Sequence, residues 1–128
     1  GNVAGFDALL GAGDAAAPVQ LDPIRGQEAG PERSYIGPGT LCAVLARLAT
    51  LTATKEPLPP VLNIATPRPV AMGALLEAAG RAWAFGPENP EAIARVALNT
   101  ARLQAIIKLP PPAGRPAAMV AEWRGLMQ

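Results

Sequence analysis

Fifteen prolines and thirteen glycines spread through 128 residues rule out a bundle of long helices. Proline inside a helix removes a hydrogen bond and clashes with the preceding turn, and glycine weakens helix interiors. The chain must use short helices and many connections. Four helices are legible from apolar spacing. The first starts near Thr40, read as its N-cap, with Leu41, Val44, Leu45, Leu48 and Leu51 along one face and Cys42 beside that stripe. The second is "PVAMGALLEAAGRAW", residues 69–83, where Met72, Leu75, Leu76, Ala79 and Trp83 recur at helical intervals.

Asn99 or Thr100 can cap the third, "ARLQAIIKL", whose apolar face is Leu103, Ile106 and Ile107 and whose Lys108 suits a last turn. Pro110-Pro111-Pro112 forbids its continuation. The fourth begins at Pro116 and carries Met119, Val120, Trp123 and Leu126 or Met127 to the end. Strands are fewer. "VLNIA", residues 61–65, is the best candidate, apolar and bounded by prolines; "PVQLD" (18–22) and "RSYIG" (33–37) are weaker. "GPENPE" (86–91) reads as a loop feeding a turn that Asn89 and Pro90 start.

Half of the residues are hydrophobic, but only five are aromatic, and alanine, leucine and valine carry most of the apolar count. Small side chains bury area only through close contacts, so the expected fold is mixed α/β (α+β in isolation): about four helices on short strands, as one domain over 1–128.

Several functions are excluded by what is missing. A formal charge of +1 gives no electrostatic footprint for nucleic acid or a membrane surface. The absence of histidine removes the commonest metal ligand and the usual proton shuttle at neutral pH. Cys42 is alone, so neither a disulfide framework nor a thiol metal site can form, and it reads as a small buried hydrophobe. No apolar run approaches the roughly 18–20 residues that cross a bilayer, and no basic leader is visible. The expected compartment is reducing, hence cytoplasmic. The opening "GNVAGFDALLG" lacks an initiator methionine and reads as mid-domain sequence, so the chain is expected to be a fragment.

Local motifs are weak. Gly11-Ala12-Gly13 with Ala16 fits a permissive dinucleotide spacing, but that chemistry needs a preceding strand and a helix opening at the glycines. "FDALL" reads as helix or loop, and Pro18 interrupts any helix that follows. The pairs Glu28/Glu32 and Glu88/Glu91 sit in Gly/Pro-rich loops and read as solvated charges rather than an acid–base couple. Tyr35 has Gly39, not lysine, four residues on, so nothing local lowers its pKa. Trp83 and Trp123 end apolar stripes and read as packing. Arg33, at a strand start beside a Gly-rich loop, carries a donor fork suited to phosphate or carboxylate; the same position equally suits a surface arginine.

Taken in order, four segments resemble the C-terminal part of the NAD-dependent epimerase/dehydratase family, the extended short-chain dehydrogenases/reductases. "GNVAG" (1–5) is similar to that family's "pgNVyGp", and "GPERSYIGPGTLCAVLARL" to its "R-D-F/Y-I-x-V-x-D-L-A" strand and helix. "PPVLNIATPRPVAMGALLEAAG" resembles "vyNigsg.pvsm.ellea", and "VALNTARLQAI" resembles "ld.s+l…lG". The resemblance implies a substrate-binding end of an extended Rossmann-type oxidoreductase. Arg33 would grip an anionic substrate group, with Asn2, Tyr35 and Arg68 as further contacts, Thr66 near the cleft mouth and Asn63 structural. NAD or NADP would be held by an N-terminal Rossmann half that this chain lacks, together with the catalytic Tyr-x-x-x-Lys.

Implied partners are therefore that Rossmann half, a small-molecule substrate and a homodimer mate, with no nucleic acid and no membrane. Two departures stand out. "GPGT" replaces the acidic helix cap of V-x-D with Thr40, and "FGPENPEAI" lacks the family's second diphosphate arginine, which allows a smaller or less anionic substrate. A non-catalytic interaction module without cofactor is the alternative reading.

Overall fold

The computed structural model describes Phe6, Leu9, Leu10 and residues 17–126. Among these the fold is mixed α/β, with four α-helices, one 3-10 turn and five short strands in two small sheets. In the first sheet β1 (Val19–Leu21) lies parallel to β4 (Trp83–Phe85), with Val19 opposite Trp83 and Leu21 opposite Phe85. In the second, β2 (Glu32–Arg33) is central. It runs antiparallel to β3 (Val70–Ala71) and parallel to β5 (Arg95–Val96).

The helices follow the proline punctuation. Helix α1 (Pro38–Ala53) has proline at its first turn, where a missing N–H costs nothing. Its N-cap is Gly37 rather than the expected Thr40, which lies inside the helix. The expected apolar face is partly corrected too: Val44 is buried and Leu41, Leu48 and Leu51 are half-buried, but Leu45 is 50% exposed. Cys42 is exposed, not buried, because two residues turn it roughly 200° around the helix from Val44.

Helix α2 (Met72–Ala78) stops well before Trp83, where the apolar spacing alone carries it. Gly80, at φ +71°, takes the left-handed conformation that closes a Schellman motif. The Arg81 N–H donates to the Leu76 carbonyl at 2.8 Å and the Gly80 N–H to Glu77 at 3.0 Å. The chain is thereby freed to form β4. Helix α3 (Ala101–Ile106) follows Thr100, and Asn99 Oδ1 accepts the Ala101 N–H at 3.0 Å. It ends before Lys108, with Ile107 already extended. A 3-10 turn, Pro111–Gly114, leads into α4 (Pro116–Leu126), which buries Met119 and Val120.

"VLNIA" does not form a strand, and "RSYIG" contributes only its arginine to β2. Among the described residues no hydrogen bond between main-chain groups involves 61–65. Leu62 and Ile64 still turn inward while Val61 and Asn63 face out, the side-chain alternation of a strand without its ladder.

The apolar interior falls into two clusters. The first gathers Phe6, Leu9, Leu10, Leu21, Tyr35, Val70, Leu75, Leu76, Met119 and Val120 between α2, α4 and the strands. The second has three buried residues, Ile36, Val44 and Leu103, ringed by half-buried Leu41, Leu48, Leu62, Ile64, Ile107 and Leu109. Each fully buried leucine contributes about 1.5–3 kcal/mol relative to an exposed one. No helix among the described residues is long and apolar enough to cross a membrane.

Candidate functional site

The segment from Arg33 to Thr40 joins the two clusters, and consecutive side chains diverge there. Tyr35 enters the first core, with its ring 5.4 Å from that of Phe6, and Ile36 enters the second. This is the period of two expected of extended backbone. Burial pushes the Tyr35 phenol above its ordinary value of 10.0, and the Arg33 cation only partly offsets that. A phenol raised in this way is neutral near pH 7 and is no proton acceptor there.

Arg33 is half-buried. Its Nη1 donates to the Glu32 carbonyl at 2.7 Å and to the Ile93 carbonyl at 2.9 Å, tying β2 to the segment that precedes β5. Both bonds leave from Nη1, and the other donors of the fork make no hydrogen bond among the described residues. Ser34 reinforces the same seam, its Oγ accepting the Leu98 N–H at 2.8 Å. Glu32 and Arg95 form an exposed ion pair at 3.6 Å, of the kind that contributes little. Asn2 lies outside the described residues, as does the Gly11–Ala16 pattern.

Arg68 belongs to a different place. The Thr66 N–H and Oγ1 both donate to the Tyr35 carbonyl, each at 2.9 Å, which pins the 66–68 loop to the end of β2. Beyond that anchor a cleft of about 380 Å³ opens, lined by Thr66-Pro67-Arg68, Leu109-Pro110-Pro111 and Gly114. Arg68 is exposed and is its sole charged wall residue among those described; Arg33 and Tyr35 are not part of it. Asn63, read as structural, donates through Nδ2 to the Asn99 carbonyl at 3.0 Å.

The acidic helix cap missing from "GPGT" has a counterpart in space. Glu122 of α4 sits over the N-terminus of α1 and accepts from Thr40 Oγ1 at 2.6 Å through Oε1, while its Oε2 is buried without a partner. A carboxylate at this end complements the helix dipole. Gly37 makes room for it, since a Cβ there would fall on Glu122 Oε2. Sequence reading misses Glu122 because its partner is 82 residues away. It misses the cleft's second wall because Pro110-Pro111-Pro112 signals only the end of a helix.

The described carboxylates form no buried pair: Glu28, Glu88 and Glu91 are exposed, and Asn89 Oδ1 accepts the Glu91 N–H at 3.0 Å in the expected turn. No group of three or more Cys, Asp or Glu among the described residues is placed to hold a metal ion. No family model, curated protein or solved structure matches the chain.

Proposed function

We propose that this chain is the C-terminal, substrate-binding portion of an NAD(P)-dependent epimerase/dehydratase-like oxidoreductase. The observation that carries the reading is the segment 61–65. From Val61 to Ile64 the side chains alternate out and in as in a strand, the inward Leu62 and Ile64 join the second core, and among the described residues the main chain of 61–65 makes no ladder hydrogen bond. A strand pattern without a strand partner asks for one from another part of a larger fold, because unpaired main-chain groups are costly once covered.

The outer surface of α1 supports the same conclusion. The helix carries one charged residue, Arg47, in 16, and Cys42, Leu45, Ala46 and Ala49 are exposed. An upstream nucleotide-binding half would cover both features, hold NAD or NADP and supply the catalytic tyrosine and lysine. This portion would position a sugar-like or related hydroxyl or carbonyl substrate against the nicotinamide, a proximity contribution. Arg33, through the donors that Nη1 leaves over, is the first candidate for an anionic group, with Asn2, Tyr35 and Arg68 behind it.

The coding sequence upstream of Gly1 tests this directly. A G-x-x-G-x-x-G opening and a Tyr-x-x-x-Lys are expected there, and their absence overturns the reading. In the longer protein, Arg33→Ala is expected to weaken substrate binding while leaving cofactor binding intact; unchanged substrate affinity removes Arg33 from the site. A non-catalytic interaction module would present the same uncharged α1 surface, and the upstream sequence separates the two readings.

A further inference from the structure

The cleft walled by Thr66-Pro67-Arg68 and Leu109-Pro110-Pro111 is formed by residues of this chain, whatever lies upstream. Its volume of about 380 Å³ sits at the small end of the range for ligand sites, roughly 300–1,000 Å³. One wall is apolar: Leu109, Pro110 and Pro111 offer aliphatic faces with no N–H on the prolines. The opposite wall presents one cation. Arg68 makes no hydrogen bond or ion pair among the described residues, so its whole donor fork is open.

The charge that lines the cleft comes from one side, since Arg68 is the one charged residue among those that wall it. The walls are also stiff. Pro67 and Pro69 flank Arg68, and a following proline confines the preceding residue to extended backbone. The Thr66 wall is fixed by its two bonds to Tyr35, and the far wall by the Ala113 N–H donating to the Pro110 carbonyl at 3.0 Å. A ligand entering such a site orders little of the protein and loses little affinity to that cost.

We infer that this cleft binds a small organic anion, its apolar body against Leu109-Pro110-Pro111 and its carboxylate or phosphate on the Arg68 guanidinium. The cleft is lined by this chain's own residues and needs no cofactor, so its anion binding is tested whether or not Arg68 also serves the oxidoreductase reading. Both parts of the ligand matter. Inorganic phosphate lacks the apolar body and a neutral alcohol lacks the charge, and each is expected to bind at least about tenfold more weakly than the combination.

The test is an amide-resolved NMR titration of the purified chain with benzoate, phenyl phosphate, benzyl alcohol and inorganic phosphate at fixed ionic strength. Benzoate or phenyl phosphate is expected to shift Thr66, Arg68, Leu109 and Gly114 together, with benzyl alcohol and inorganic phosphate weaker by that factor. Arg68→Ala, an exposed change that leaves the cores intact, is expected to cost about tenfold for the anions and nothing for benzyl alcohol. Gly114→Leu extends into the cleft from a position with only Thr66 Cβ nearby, at 4.0 Å, and is expected to abolish the shifts while the protein stays folded. Anion binding that survives both variants, equal binding of benzyl alcohol and benzoate, or no shift at these residues with any probe overturns the assignment.

Discussion

The two apolar clusters differ in composition and in closure: the first holds aromatic rings, and the second is wholly aliphatic. Among the described residues the first has ten buried members and six half-buried ones: α2 and α4 pack against it, both aromatic rings of the Phe6–Tyr35 pair lie inside it, and Leu75, Leu76 and Met119 have no exposed surface. The second has three buried members and a ring of six half-buried aliphatics. One of its edges is the ladderless segment 61–65, and Val61 stands 66% exposed there. Buried members outnumber half-buried ones in the first core and the reverse holds in the second, which has the form of one side of a core. On the proposed function, that open side is where the upstream half docks.

Truncating each core equally separates them most strongly. Leu75→Ala is expected to cost about 2–5 kcal/mol in chemical denaturation, and Leu103→Ala about 2 kcal/mol, the low end, because half-exposed neighbours can relax into the space. Equal losses would show the second core to be as closed as the first. Gly73→Ala probes the tightness of the first core from another side. A Cβ there would stand 2.5 Å from the Ala29 carbonyl oxygen and 2.6 Å from Trp83. Since one of those atoms is main chain, about 1–3 kcal/mol of overpacking is expected.

The joint between the clusters gives the next effect. Gly37→Ala collides with the Glu122 carboxylate, and Glu122→Ala removes the partner of Thr40. Each is expected to cost about 1–2 kcal/mol, and the pair should be less destabilising than the sum, since removing the carboxylate relieves the collision. Strict additivity in a double-mutant cycle would contradict the placement of Glu122 over α1.

The smallest effect is read from Tyr35, the one tyrosine in the chain. Its phenol is raised by burial in the first core. The neutral form is therefore favoured in the folded state. The associated stability is fully present below pH 10, the unfolded value, and is lost as pH rises through the higher folded value. Tyrosinate absorbance should titrate with a midpoint above 10 in the folded protein, and Tyr35→Phe should flatten the alkaline loss of stability. A midpoint at or below the ordinary value would place the phenol outside the first core.

Much of the fold is legible from local sequence. Four helices and their order follow from apolar spacing, with Pro116 marking a true start, while the first opens at Pro38, ahead of the expected Thr40. Errors arise where a non-local partner decides the outcome. "VLNIA" has strand composition, but a strand exists only when another strand pairs with it, and no described segment does. Cys42 is exposed against expectation because α1 buries a narrow stripe and leaves most of its circumference bare. Glu122 and the cleft wall at 109–111 depend on contacts between distant segments, which one sequence does not reveal. The early end of α2 is available in principle, since Gly80 after "EAA" is the residue a Schellman cap requires. Arg33 and Arg68, both candidate ligand contacts, stand in separate places, one tied into the second sheet and one alone at a cleft.

Whether the second core is half of a larger one can be read from amide hydrogen exchange at residues 61–65, comparing this chain with the longer protein in which the upstream half is present. Fast exchange is predicted at Leu62, Asn63 and Ile64 in the chain alone, with slowing by orders of magnitude when the missing strand partner is supplied. Equally fast exchange in both would contradict this, meaning that nothing pairs with the segment and that the open second core is simply the surface of the molecule.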